Sequence, residues 1–201
     1  MVTTTGPRTR SAARHVAAAT TAALCLAAFL AACDPGPAAT PAITPGTAVA
    51  PRVVVLIAKD YSFIPPIVDL VPGETVILQV VNGGLIVHEA VVGPTPVQDA
   101  WEAAEASTVS TPPGPTAVVS VSPDLGGVRI VVASGERRDT TFVVPAAAAS
   151  EPGGWFVGCH IPGHWAEGMV VPVRFVGPDG RPLPTLGAGT GGTLRAPAAA
   201  G

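Results

Sequence analysis

The sequence has little charge and few aromatic residues. Charged side chains make up 12% of the 201 residues and aromatic ones 4%, whereas glycine and proline each occur 23 times. So much glycine and proline argues against long helices and favours short strands joined by turns. The net charge of −3 at pH 7 shows no excess of basic residues, so we expect no nucleic acid as a partner.

Residues 1–32 are predicted to be a lipoprotein signal peptide. Three arginines within the first 14 residues precede an uncharged apolar run over residues 16–30. This run has the length of a signal-peptide core and is too short to span a bilayer comfortably. It ends in L-A-A-C, which resembles a lipobox, so we expect cleavage before Cys33 and lipidation of that residue. The alternative is an ordinary secretory signal with an accidental cysteine. Both interpretations place the mature protein outside the cytoplasm, and lipidation anchors it to the cell membrane, in the periplasm or at the outer face.

Cysteine is scarce, and its positions are informative. Of three cysteines, Cys25 leaves with the signal peptide and Cys33 becomes the lipid anchor, so only Cys159 remains in the folded part. An exported domain with one cysteine cannot be stapled by an internal disulfide. The thiol of Cys159 therefore requires another explanation.

The mature chain divides by composition into three parts. Residues 33–51 are rich in alanine, proline and threonine and are predicted to form a tether. Residues 178–201 are rich in glycine and proline and are predicted to form a disordered tail. Residues 52–177 remain as one domain of ordinary size. Without the leader, 14 acidic residues stand against 8 basic ones, a net charge of −6 that would mildly steer a basic partner.

The domain pattern is almost entirely β. Short apolar and β-branched runs, separated by turns about every dozen residues, occur at Val53–Ile57, Ile67–Leu70, Thr75–Val81, His88–Val92, Ala117–Val121, Val128–Val132, Thr140–Val144, Trp155–Cys159 and Met169–Phe175. This spacing predicts an all-β sandwich or barrel. One stretch, Val97–Ser107, has helix formers at helical spacing and predicts a short helix in a connecting loop.

The segment from Gly158 to Met169, with the sequence G-C-H-I-P-G-H-W-A-E-G-M, carries the chemistry. It places the thiol of Cys159, the imidazole of His164 and the thioether of Met169 in one short loop between two predicted strands. A soft thiolate with imidazoles and a weak axial thioether is the ligand set that suits blue copper. Methionine is a poor zinc ligand, so the set favours copper over zinc.

A second imidazole has few sources. Outside the leader the chain has only His88, His160 and His164. His160 is next to Cys159, and neighbours on a strand point to opposite faces, so we expect it to be structural or exposed. His88 follows the Asn82-Gly83-Gly84 turn and begins a predicted strand, from which it can reach the same end of a sandwich.

These residues resemble the cupredoxins, the type 1 blue copper proteins. The C-x4-H-x4-M loop is similar to those of the azurin and sulfocyanin branches, and Tyr61–Pro65, Val71–Val76 and His88-Glu89 look like further family segments. The resemblance covers roughly residues 53–176. It implies a Greek-key β-sandwich of about eight strands, with copper at one end.

The resemblance also implies the roles of the ligands. His88 would be the first ligand, Cys159 the thiolate, His164 the second imidazole and Met169 the axial group. Many members have an asparagine after the first histidine, which ties the two ligand-bearing segments together. Here Glu89 takes that place, so the surroundings of the site, and with them the reduction potential, are expected to differ.

A site with this ligand set predicts an electron carrier and not an enzyme, because all strong ligand positions are filled by protein. The chain has too few histidines for a trinuclear copper cluster and too few cysteines for a dinuclear centre. The expected partners are redox proteins of an extracytoplasmic electron-transport chain and the membrane, with no small-molecule substrate. A copper carrier or sequestering protein without a redox role is the main alternative, and a metal-free β-domain acting in adhesion is a third.

Overall fold

The computed structural model describes Met1, Thr3 and residues 41–108 and 119–184. Within this part the strands are β1 (Arg52–Lys59), β2 (Ser62–Ile64), β3 (Val68–Leu70), β4 (Thr75–Asn82), β5 (His88–Pro94), β6 (Val128–Val132), β7 (Arg137–Val143), β8 (Trp155–Gly158) and β9 (Val170–Phe175). One α-helix, α1 (Thr95–Ala106), follows β5, and two short 3-10 turns cover Pro123–Leu125 and Ala148–Ser150. Among these residues no helix combines the length and apolar character that a membrane span requires.

The strands form two sheets that enclose one core. The four-stranded sheet has the order β2-β1-β4-β7 and the five-stranded sheet the order β3-β9-β8-β5-β6. The β1–β4 and β3–β9 pairs are parallel and the other pairs antiparallel. A single buried apolar cluster contains Leu56 and Val80 from one sheet and Val157 and Phe175 from the other. The two sheets therefore pack as a sandwich.

The burial of the strands follows from what covers each face. On β1, Leu56 and Ala58 point into the core while Val53 and Val55 are exposed, the alternation of a strand with one wet face. On β5, six consecutive residues from His88 are buried. The reason is α1, whose Val97 and Trp101 pack on Val91 and cover the outer face of that strand.

The close packing of α1 on the sheet depends on small residues. The helix begins at Thr95 with a proline in its first turn, where a missing N–H costs nothing. A Cβ on Gly93 would lie 2.8 Å from a methyl carbon of Val97, and one on Gly127 would lie 2.7 Å from the same side chain. Glycine at both positions lets the first turn of the helix approach β5 and the loop before β6.

The predicted all-β sandwich with one short helix is confirmed, with nine strands where about eight were expected. The helix begins two residues before the predicted Val97. The strand predicted over Ala117–Val121 is wrong in its described part, because residues 119–121 have no strand partner. Instead, Val119 and Val121 pack as partly buried side chains on the cluster under α1, which explains their apolar character.

Apart from Met1 and Thr3, the predicted signal peptide lies outside the described residues, as do the predicted lipidation site Cys33 and most of the tail. The Ile43 N–H donates to the Pro178 carbonyl at 2.9 Å, and the Thr75 N–H donates to the Gly46 carbonyl at 2.9 Å. Hydrogen bonds thus join described parts of the predicted tether and tail to each other and to the start of β4. The domain bounds at residues 52 and 177 stay predictions.

Candidate metal centre

One end of the five-stranded sheet brings the predicted site residues together. His88 is the first residue of β5, and Cys159 directly follows β8. These strands are antiparallel neighbours, with Val91 opposite Gly158, so the beginning of one lies beside the end of the other. His164 lies in the loop after Cys159.

Backbone hydrogen bonds close the loop from Cys159 to Met169 on itself. The Cys159 N–H donates to the Met169 carbonyl, and the Met169 N–H donates to the His164 carbonyl, both at 3.0 Å. Gly163 and Gly168 have φ of 91° and 94°, in the left-handed region where glycine has no Cβ penalty. The sequence of this segment therefore folds into a compact loop that directs its donor side chains inward.

Three potential donor atoms converge at this end. Suitable atoms of His88, Cys159 and His164 all lie within 4.8 Å of one another, and all three residues are buried. The Nδ1 atoms of His88 and His164 are 3.3 Å apart, and the Cys159 Sγ atom is 3.2 Å from His164 Nδ1. Donors bound at roughly 2.0–2.3 Å to a common ion lie about 3.3–3.7 Å apart, so the cluster is of the size that one metal ion requires.

The ionisation of Cys159 and His164 suits a cation. Burial raises the pKa of the Cys159 thiol to about 12, so without metal it is protonated at neutral pH. Burial and the neighbouring His88 lower the pKa of His164, which keeps its ring neutral with a free lone pair. A bound cation would replace the thiol proton.

Met169 lies where the loop meets β9. It is fully buried and belongs to the same apolar cluster as Cys159. Its backbone is hydrogen-bonded to the backbones of both Cys159 and His164. A thiol and two imidazoles, with a methionine whose backbone is held beside them, form a set of residues that fits copper.

The aspartate in the β1–β2 turn contacts His88 from outside the cluster. Asp60 Oδ1 lies 3.1 Å from His88 Nε2. This hydrogen bond, together with one from the Leu85 N–H, lowers the pKa of Asp60, so the carboxyl is ionised and accepts. The Nε2–H of His88 then donates to Asp60, and Nδ1 is the ring nitrogen that faces the cluster. The sequence interpretation missed Asp60, because a polar residue in a strand connection is ordinary turn chemistry.

Glu89 joins the two segments that carry the donors. Its N–H donates to Cys159 Sγ at 3.5 Å, and its Oε1 accepts from the His160 N–H at 3.1 Å. Its other oxygen accepts from Arg129 at 2.6 Å, and Arg129 donates as well to Glu105 of α1. The glutamate thus makes the connection between segments for which the resemblance implies an asparagine.

His160 points away from the cluster and into α1. Its Nε2 donates to Gln98 Oε1 and its Nδ1 bonds Glu102 Oε2, both at 2.8 Å. The NH2 group of Gln98 lies within 3.2 Å of the carbonyls of Val91, Gly93 and Phe156, which fixes the orientation of its oxygen. His160 also stacks on Trp165 at 4.8 Å. The expectation that His160 is structural agrees with these contacts.

The structure thus brings His88, Cys159 and His164 into one cluster and places Met169 beside it. Cys33 lies outside the described residues. The assignment of the four residues as copper ligands stays a prediction.

Three solved structures align with most of this chain. Auracyanin B aligns with a TM-score of 0.50 at 23% identity, over 70% of this chain and all of that chain. Reduced auracyanin from Roseiflexus castenholzii aligns with a TM-score of 0.49 at 17% identity, over 62% and 97% of the two chains. Auracyanin A, a "blue" copper protein from Chloroflexus aurantiacus, aligns with 0.49 at 19% identity, over 63% and 100%.

No protein-family model matches the sequence, and a search of curated proteins gives no match. At 23% identity the likeness to auracyanin B shows the fold, and the fold is a cupredoxin-like β-sandwich.

Proposed function

We propose that the protein is an electron carrier with one type 1 copper ion, held by His88, Cys159, His164 and Met169. The observation that carries the proposal is that one donor atom each of His88, Cys159 and His164, all buried, lie within 4.8 Å of one another. Copper bound to such a set can alternate between its +1 and +2 states. The packed strands and the closed loop would hold the donors in place during that change.

The burial of the donors favours electron transfer over copper delivery. His88, Cys159 and Met169 have no exposed surface, and His164 is 6% exposed. A carrier that hands its metal to another protein requires ligands that the acceptor can reach, whereas an electron needs only a short path. An enzyme requires an open coordination position, and four protein donors leave none.

His164 is the natural point for electrons to enter and leave, because it alone of the four proposed ligands reaches the surface. Its ring contacts Tyr61 edge-on at 5.2 Å, and Tyr61 is 45% exposed. Ile161 and Pro162 of the same loop add apolar surface, which is partly buried at Ile161 and exposed at Pro162. A redox partner protein would dock over this end of the sandwich.

The proposed location is extracytoplasmic, with the lipid on Cys33 anchoring the chain to the membrane. The arginine-led apolar leader and the L-A-A-C sequence support this part of the proposal. The mature net charge of −6 favours a partner with a basic docking face. A small-molecule substrate has no role in this function.

Visible and paramagnetic-resonance spectra of the copper(II)-loaded full-length protein test the proposal, with Cys159→Ser as the comparison. We expect an intense thiolate-to-copper band that is absent from the variant, because serine offers no sulfur donor. A pale spectrum that is indifferent to the substitution would contradict the blue site. It would favour the copper carrier or the structural β-domain.

A further inference from the structure

The turn between β1 and β2 contacts both imidazoles of the site. Asp60 bonds His88 Nε2, and the next residue, Tyr61, places its ring against His164. Tyr61 has φ of 64°, a left-handed conformation that costs energy in a residue with a Cβ. The strained backbone directs two consecutive side chains toward the two histidines.

The contact between Asp60 and His88 is built into the fold. The Leu85 N–H donates to both carboxylate oxygens of Asp60, at 2.9 and 3.2 Å. A Cβ on Gly84 would lie 2.3 Å from Asp60 Oδ1 and 3.0 Å from His88 Nε2, so only glycine leaves room for the pair. The carboxylate is therefore held from the β4–β5 connection while it holds the imidazole.

The imidazole of His88 has no solvent to replace this partner. Its side chain is fully buried, whereas the side chain of Asp60 is 35% exposed. A buried ring N–H without an acceptor is unfavourable, so the ring nitrogen that faces Asp60 carries a proton. The other nitrogen is left to face Cys159 and His164.

We propose that Asp60 is a positioning residue for the copper site, which fixes the orientation and tautomer of His88 and favours copper(II) over copper(I) by its negative charge. The inference rests on the proposed copper function. A carboxylate behind a ligating imidazole makes that ligand more basic and holds its ring. The negative charge of the carboxylate stabilises copper(II) more than copper(I), because copper(II) carries the higher positive charge.

Two substitutions separate the hydrogen bond from the charge. Asp60→Asn keeps an acceptor oxygen of the same reach and removes the charge, whereas Asp60→Ala removes both. Asp139→Asn is the matched control, because Asp139 is also a partly exposed carboxylate but pairs with Arg137 on β7. All three are measured in the full-length protein.

We expect Asp60→Asn to raise the reduction potential by about 59 mV, which corresponds to a tenfold loss of copper(II) affinity relative to copper(I). For Asp60→Ala we expect a loss of copper(II) affinity of about 10- to 100-fold, the usual effect of removing such a partner. Asp139→Asn should leave both quantities unchanged. Potentials of both Asp60 variants equal to that of the control would overturn the proposal.

A second measurement needs no copper. Nitrogen-15 NMR of the metal-free protein reports which ring nitrogen of His88 carries the proton. We expect Nε2–H in the native protein and in Asp60→Asn, and loss of the slowly exchanging Nε2 proton in Asp60→Ala. A native His88 protonated at Nδ1 alone would refute the role of Asp60. Failure of the proposed function would differ, since the thiolate band would be missing while His88 kept its Nε2 proton.

Discussion

Two groups of paired charges, one on each sheet, differ in their burial. On the four-stranded sheet, Arg137 and Asp139 pair at the surface with side chains 57% and 39% exposed. Where the helix covers the five-stranded sheet, Glu89 of β5 and Glu105 of α1 have side-chain exposures of 0% and 1% and share Arg129. The difference is α1, which covers the outer face of β5 and encloses charges that would otherwise face water. One of these buried charged residues, Glu89, is hydrogen-bonded to Cys159 and His160 of the segment that carries the donors.

The largest loss of stability is expected from a substitution at Arg129. Arg129→Met leaves two buried carboxylates without their shared partner, and we expect a loss of about 3–5 kcal/mol in the free energy of unfolding. Arg137→Met is the matched change on the other sheet, and we expect no measurable loss of unfolding free energy from this exposed pair. Urea unfolding of the metal-free proteins measures both. Equal losses would mean that α1 does not desolvate the Arg129 network.

A second, smaller effect is expected at Gly158. A Cβ there would lie 2.4 Å from the Trp165 ring and 2.6 Å from Gln98 Oε1, between the ligand loop and α1. We expect Gly158→Ala to cost about 1–3 kcal/mol of unfolding free energy through overpacking. Gly83→Ala, after β4, meets nothing closer than 3.6 Å and should change stability by less than about 0.5 kcal/mol. Thermal unfolding of both variants checks this, and a tolerant Gly158 would show that the helix can move away.

The smallest effect is a difference in pH dependence. Burial, with repulsion from Glu89, raises the pKa of Glu105 above 4.5. Its contribution to stability is present below pH 4.5 and is lost as the pH rises through the raised value. Although burial opposes it, the hydrogen bonds from Arg52, Val71 and Gly46 lower the pKa of Glu74, which precedes β4. That contribution is present above pH 4.5 and is lost as the pH falls through the lowered value.

Unfolding free energies of the metal-free protein between pH 3 and 7 resolve the two contributions. The unfolding free energy of Glu105→Gln should increase relative to that of the native protein as the pH rises above 4.5. The unfolding free energy of Glu74→Gln should increase relative to that of the native protein as the pH falls below 4.5. The opposite order would contradict the assigned directions. Parallel curves for all three proteins would show that neither carboxyl titrates differently in the folded state.

Much of the site was accessible from the sequence because its residues are rare. The chain has so few histidines and cysteines that Cys159, His164 and His88 could be selected almost by counting. The C-x4-H-x4-M spacing then placed Cys159, His164 and Met169 in one loop. Three strands of the four-stranded sheet, β1, β4 and β7, were also predicted in whole or in part from their apolar and β-branched runs, whereas the three-residue β2 was not among the predicted strands.

The surroundings of the site could not be predicted in the same way. Asp60 and His88 are 28 residues apart, and His160 and Glu102 are 58 apart. Neither aspartate in a turn nor glutamate on a helix differs locally from an ordinary solvated residue. Their roles come from the packing of the turn and of α1 on the sheet, which no local pattern encodes. The strand prediction at Val119 and Val121 was wrong for the same reason. Apolar side chains that pack against a helix give the same local pattern as apolar side chains of a strand.

The contacts of His160 with α1 have an evolutionary consequence. His160, which follows Cys159, and helix α1 after β5 form one hydrogen-bonded unit, since Gln98 and Glu102 together occupy both ring nitrogens. A lineage that shortened the insertion would leave a buried imidazole without acceptors, and selection would then replace it. We therefore expect descendants of this chain to keep or lose His160, Gln98 and Glu102 together, while the four proposed ligands persist in both groups.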